Sequence, residues 1–179
     1  MIPMSTATGE YLRTIADVGA LQVARWGAVL RAEQPEEPTS LYPGGTEEEI
    51  AAMVEHLGQQ IADTGLTHEK NDRTFEIPYD NDVTVRSTIY QGMVWTYAYT
   101  GGMPGDSTAA QGQIAIELLK RNWDDPLGRL SLDGDNDVCW ESQVPSTCLT
   151  PDYIAIVAGT AASQVAGFIE TYGQIPFNG

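Results

Sequence analysis

The sequence predicts an α+β domain in which helices cover an antiparallel sheet. Two observations favour this class: helical spacing of apolar residues gives way to strict alternation and later returns, and the alternating runs are joined by connections too short for parallel crossovers. From residue 46 the predicted order is helix, three strands, helix, two strands and helix. The chain has 179 residues, which suits one domain with an appended segment.

The first 45 residues are predicted to form that appended segment. Apolar residues recur at helical spacing from about Gly9 to Glu33, and Trp26 lies on this apolar stripe. Residues 33–45 contain three prolines and two glycines, which cannot continue a helix. We therefore divide the chain into a helical arm with its linker, residues 1–45, and an α+β domain, residues 46–179. The arm suits packing on a partner subunit or back on its own domain.

The domain begins with a capped helix and continues as a meander. Thr46 can accept a hydrogen bond from the first helical turn, where three glutamates lie at the positive end of the helix dipole. Three alternating runs follow, separated by turns at residues 80–82 and 91–92, and predict an antiparallel meander of three strands. Pro78 lacks an N–H donor, so its strand should lie at an edge or end nearby.

The second half of the domain predicts a helix, a hairpin and a closing helix. Helical spacing returns over residues 109–123 through Ile114, Leu118 and Leu119. Residues 130–144 alternate on either side of a turn rich in Asp and Gly. Thr150 followed by proline is a typical helix start, and the final apolar stripe continues to Tyr172.

The charge of the chain excludes several kinds of partner. Nine basic residues stand against 25 acidic ones, a net charge of −16, so nucleic acid and anionic membrane surfaces are unsuitable partners. We find no apolar run of the ~20 residues that span a bilayer, and no basic segment followed by an apolar one at the N-terminus. We therefore expect a cytoplasmic protein.

The sequence contains no recognisable catalytic or metal-binding motif. The carboxylates of residues 133–137 alternate as in a calcium loop, but Val138 and Val144 stand where an EF-hand needs glycine and glutamate. A hairpin turn is the better interpretation, with a weak cation site as the alternative. Cys139 and Cys148 should remain thiols, or bridge if the chain is exported; Cys148, just before a helix, is the better candidate for reactivity. We predict no metal and no cofactor.

An aromatic stripe in the third strand is the main candidate for a binding site. Trp95, Tyr97 and Tyr99 share one face because side chains alternate along a strand. The commoner interpretation of such a stripe is core beneath the helices. The functional one is an apolar sheet surface open to a peptide, which suits the apolar ring and polar tip of tyrosine. We take these three residues, with Trp26, as candidate partner-binding residues.

The element order and two segments resemble a known family. Residues 126–138, with a Leu-x-Leu strand and an acidic turn, and Leu149-Thr-Pro-Asp-Tyr-Ile154 are similar to the corresponding parts of the YbjN-like group of the type III secretion chaperone superfamily. The resemblance runs from Thr46 to Tyr172. It implies a compact α+β domain, often dimeric, that binds polypeptide segments without chemistry.

Three functional hypotheses follow. The leading one is a non-enzymatic protein- or peptide-binding module of YbjN-like or chaperone-like type, homodimeric and with a regulatory role as one option. The second is a small-molecule-binding protein or small hydrolase that uses carboxylates such as Asp106, Asp124 and Asp125. The third is a structural subunit of a larger assembly, tethered by the N-terminal helix.

Overall fold

The computed structural model describes residues 46–90, 92–105 and 107–177. Within them the helices are α1 (Glu47–Asp63), α2 (Thr108–Asp124) and α3 (Pro151–Tyr172). The strands are β1 (Glu69–Asn71), β2 (Thr74–Pro78), β3 (Thr84–Tyr90), β4 (Met93–Gly102), β5 (Arg129–Leu132) and β6 (Asp137–Pro145). This confirms the predicted α+β class. The predicted arm, with Trp26, lies outside the described residues.

The strands form one antiparallel sheet in the order β1-β2-β3-β4-β6-β5. The predicted meander corresponds to β2, β3 and β4, and the predicted hairpin to β5 and β6. The short edge strand β1 was not predicted, because its sequence Glu-Lys-Asn carries no apolar alternation and all three residues are exposed. Pro78 is the last residue of β2, where its missing N–H is tolerated.

One face of the sheet carries the hydrophobic core, which α1 and α3 cover. Alternate residues of β2, β3 and β4 are buried there, as the period of two requires. A buried polar pair lies among them: the Ser87 and Thr96 hydroxyls are 2.9 Å apart and hydrogen-bond each other. The main apolar contributors are Phe75, Ile77, Val85, Val94 and Ala98 from the sheet, Val54, Leu57 and Ile61 from α1, and Val157, Val165 and Phe168 from α3.

The closing helix α3 belongs to this core. By length and composition alone it could cross a membrane, with a mean hydropathy of 1.3 over its most apolar window, so the expectation that no apolar run reaches this length is wrong. Seven of its residues are buried against the sheet and α1, and this packing accounts for its apolar composition. Thr150 caps its first turn by accepting a hydrogen bond from the Tyr153 N–H, as predicted.

The β5–β6 hairpin closes on an acidic turn. One carboxylate oxygen of Asp133 accepts hydrogen bonds from the backbone N–H groups of Asp135 and Asp137, both at 2.9 Å. Asn136 adopts a positive φ of 62°, a conformation that asparagine tolerates in turns. These bonds confirm the turn. In the described ranges, no three His, Cys, Asp or Glu side chains are grouped to hold a metal ion.

Candidate functional site

The face of the sheet opposite the core carries the aromatic residues predicted from the sequence. Val94, Thr96 and Ala98 of β4 point into the core, so Trp95, Tyr97 and Tyr99 point to the other face. All three are partly buried. The described helices pack against the opposite face, so none of them covers this stripe.

The aromatic rings form a continuous row, which we call the aromatic row. The rings of Trp95 and Tyr97 are stacked with centroids 4.3 Å apart and an interplanar angle of 26°. Tyr97 meets Tyr99 edge to face at 5.8 Å, and Tyr90, at the end of β3, lies 5.9 Å from Trp95. Such ring pairs contribute about 0.5–1.5 kcal/mol each beyond their buried area. The row is thus a preformed apolar strip.

A salt bridge lies on each side of the aromatic row. The strand register places Arg86 and Glu141 on either side of Tyr97. Arg86 Nε is 2.9 Å from Glu76 Oε1 on one side, and Arg129 Nε is 3.0 Å from Glu141 Oε1 on the other. The apolar strip therefore has charged borders on both long sides. These borders depend on the strand register, so the sequence alone did not predict them.

Glu141 also fixes the orientation of the tryptophan. Its Oε2 accepts a hydrogen bond from Trp95 Nε1 at 3.0 Å, while its Oε1 is used by Arg129. The polar edge of the indole is therefore satisfied at the border of the strip. A fixed indole loses little conformational entropy when it is covered by a partner.

Between the charged borders, the Tyr97 and Tyr99 hydroxyls and the Cys139 thiol remain uncharged at neutral pH. Burial raises the pKa of Tyr99 to about 12, with smaller effects in the same direction from Cys139 and Asp133. Burial also raises the pKa of Tyr97 above its usual value. The pKa of Cys139 rises to about 11, again chiefly through burial. These groups offer neutral hydroxyls and a protonated thiol, which suit recognition better than nucleophilic attack.

A second apolar surface lies on α2. Ile116, Leu119 and Trp123 are spaced by three and four residues, so they share one helix face, which we call the α2 stripe. Their side chains are 54%, 68% and 90% exposed. The sequence analysis grouped Leu119 with Ile114 and Leu118, but of the three only Leu118 is fully buried. The spacing of Trp123 from Leu119 was the signal that could have revealed the stripe.

Of the carboxylates in the hydrolase hypothesis, the described residues include Asp124 and Asp125. Asp106 lies outside the described residues, and Asp124 is exposed at the end of α2. Both oxygens of Asp125 serve the fold: Oδ1 accepts from the N–H groups of Leu127 and Gly128, and Oδ2 accepts from Trp140 Nε1 at 2.8 Å. Cys139 and Cys148 are both unbridged.

Comparison with known proteins identifies the fold. No family model matches the chain, and no curated protein matches its sequence. Among solved structures, the HopA1–SchA chaperone–effector complex matches with a TM-score of 0.53 and 11% identity, covering 66% of this chain and 97% of that one. The heterodimeric ExoU–SpcU complex from the type III secretion system of Pseudomonas aeruginosa matches with a TM-score of 0.50 and 14% identity, covering 64% and 95%. YbjN from E. coli matches with a TM-score of 0.47 and 15% identity, covering 65% and 87%.

The described domain therefore has a type III secretion chaperone-like fold, as the sequence resemblance implied. Sequence identities of 11% and 14% establish a likeness of fold. What the domain binds has to be argued from its own surfaces.

Proposed function

We propose that this chain is a non-enzymatic, chaperone-like module that binds polypeptide through the aromatic row. One observation carries the proposal: Trp95, Tyr97 and Tyr99 form a preformed apolar strip on the sheet face opposite the described helices. Its fold likeness to proteins solved as chaperone–effector and heterodimeric secretion complexes supports a protein partner. Trp26 is proposed to add to this surface from the arm.

The shape and borders of the strip suit an extended segment. Aromatic side chains offer large contact areas at low entropic cost, and interfaces are enriched in them. The salt bridges Glu76–Arg86 and Arg129–Glu141 confine an apolar ligand to the line of β4. The net charge of −16 favours a neutral or basic partner, because long-range attraction speeds association with opposite charge. We further propose that the protein works in the cytoplasm without metal or cofactor.

The aromatic row can be tested with an unfolded probe. We expect fluorescently labelled, reduced and carbamidomethylated ribonuclease A, an unfolded basic polypeptide, to bind the full chain, and Trp95→Ala to weaken binding about thirtyfold, since central aromatic residues contribute about 2 kcal/mol or more at interfaces. Ile156→Ala is the matched control, because Ile156 is an exposed apolar residue on α3 outside the row. Equal affinity of the folded Trp95→Ala variant and the unchanged chain would contradict the proposal.

We also propose that the chain forms a homodimer through the α2 stripe. In α2, Lys120 and Arg121 balance Glu117 and Asp124, so its formal charge is 2 − 2 = 0. In contrast, α1 carries five acidic residues and no basic one. Two acidic molecules therefore repel least when they meet at α2, where exposed Leu119 and Trp123 can be buried.

Sedimentation equilibrium tests the dimer. The unchanged chain should show twice its monomer mass, and Leu119→Asp should give a monomer with unchanged circular dichroism, because a desolvated charge in the interface is strongly unfavourable. Ile156→Asp, on an exposed site of α3, should remain dimeric. A monomer at every concentration of the unchanged chain would refute this assembly.

A further inference from the structure

The last described residues of the chain lie beside one end of the aromatic row. The pairing of β3 with β4 ends at Tyr97. The final residues of β4 therefore extend beyond the end of β3, and β3 does not pair with them. There Ile175 forms an isolated parallel bridge with Gly101, and its carbonyl accepts a hydrogen bond from the Gly102 N–H at 3.3 Å. Residues 174–177, which we call the tail, therefore occupy a strand position beside β4.

The conformation of Gly101 and its lack of a side chain allow the backbone of the tail to approach β4 closely. Its φ is +114°, which side-chain-bearing residues rarely adopt, and a β-carbon at this position would lie 2.0 Å from the Ile175 carbonyl oxygen. The β4–β6 register also shifts between Tyr99 and Gly101. A bulge and a glycine thus open the backbone of β4 to a neighbouring chain at this point.

The tail also extends the aromatic row. The ring of Phe177 meets Tyr99 edge to face, with centroids 5.9 Å apart and an interplanar angle of 79°. Phe177 nevertheless remains 57% exposed. Because this ring is more than half exposed, a better-fitting segment can displace the tail.

We propose that the strand position beside Gly101 and Tyr99 is a docking slot for an extended partner segment, and that the tail fills this slot until the partner displaces it. The tail shows the chemistry that fits: a backbone carbonyl that accepts a hydrogen bond from the Gly102 N–H, and an aromatic ring on Tyr99 two positions later. This inference rests on the proposed polypeptide-binding function and specifies where, and with what pattern, a partner begins to dock.

A tethered tail competes strongly with a free peptide. A short flexible link gives an effective concentration in the millimolar range. If the tail alone binds with a dissociation constant of about 0.1 mM, it weakens the binding of a competing peptide about tenfold. Removal of the tail should therefore strengthen peptide binding by about this factor.

Fluorescence anisotropy with a labelled peptide of residues 173–178, Gly-Gln-Ile-Pro-Phe-Asn, tests the slot. A chain ending at Gly173 should bind this peptide about tenfold more tightly than the full chain. Phe177→Ala in the full chain should give part of this gain, and its exposed position makes misfolding a poor explanation. Gln174→Ala, an exposed neighbour in the tail, is the matched control and should leave the affinity unchanged.

Two results would overturn the inference. Equal affinity of the peptide for the full and shortened chains would show that the tail does not compete with the peptide. Absence of binding to both chains would show that the docking slot does not exist. Reduced and carbamidomethylated ribonuclease A, measured on the same two chains, separates this failure from failure of the proposed function. If that probe binds both chains and depends on Trp95 while the peptide result is negative, the polypeptide-binding function stands and the slot does not.

Discussion

At the scale of single residues, Asp125 joins three parts of the domain. It follows α2 directly, accepts two backbone N–H groups in the turn before β5, and accepts the indole N–H of Trp140 in β6. Trp140 is fully buried, and the Asp125 carboxylate is the hydrogen-bond partner of its N–H. The residue is a structural acceptor, although its sequence context alone suggested a candidate for chemistry.

Asp125→Ala should therefore lower the free energy of unfolding by about 1–3 kcal/mol, the cost of leaving a buried donor unsatisfied. Urea denaturation followed by tryptophan fluorescence measures this loss. Its exposed neighbour provides the control: Asp124→Ala should change stability by no more than about 0.5 kcal/mol. Similar losses in both variants would contradict the role assigned to Asp125.

The Cys139 thiol should react slowly, and the stability of the fold should fall at alkaline pH as this thiol ionises. Burial raises its pKa from 9.0 to about 11, so between these pH values the folded state keeps a proton that the unfolded state releases. The contribution to stability is complete below pH 9 and is lost as the pH rises to about 11.

The two cysteines can be compared directly. At pH 8 the Cys148→Ser variant, which keeps Cys139, should react with Ellman's reagent at least tenfold more slowly than the Cys139→Ser variant. The reason is that the Cys139 thiol is buried and protonated. In denaturant the rates should converge. Equally fast reaction of both native variants would show that Cys139 is accessible.

At the scale of elements, α1 shows how far local sequence signals reach. Thr46 Oγ1 accepts from the Glu49 N–H at 3.2 Å, and the Glu49 carboxylate accepts from the Thr46 N–H at 2.7 Å. This reciprocal capping box follows from residues three apart, and the sequence predicted the helix start without knowledge of the fold. By contrast, nothing local distinguishes the buried from the open face of β4.

Removal of the cap should destabilise the domain modestly. Thr46→Ala should lower the free energy of unfolding by about 1 kcal/mol, whereas Thr46→Ser should lose much less because serine retains the accepting hydroxyl. Urea denaturation of the two variants measures the difference. Equal stability of the Ala and Ser variants would exclude a contribution from the cap.

At the scale of the whole molecule, residues 46–177 contain a core built from both ends of the domain, since α1 packs on α3 and both cover the sheet.

We expect a chain of residues 46–179 to unfold cooperatively at nearly the denaturant midpoint of the full chain, as the division at residue 45 predicts. Circular dichroism in urea measures both midpoints. A broad transition in the shorter chain would show that the arm belongs to the core.

The sequence by itself determined the periodic elements, their caps and turns, and the alternation that places Trp95, Tyr97 and Tyr99 on a common face, because these depend on neighbours a few residues apart. The tertiary structure decided which face the helices cover, the salt-bridge borders at Arg86 and Glu141, and the contact of residues 175–177 with β4. Those features join residues distant in the chain, so they follow from strand order and register. The edge strand β1 was missed for the same reason: three polar residues become a strand through pairing with β2.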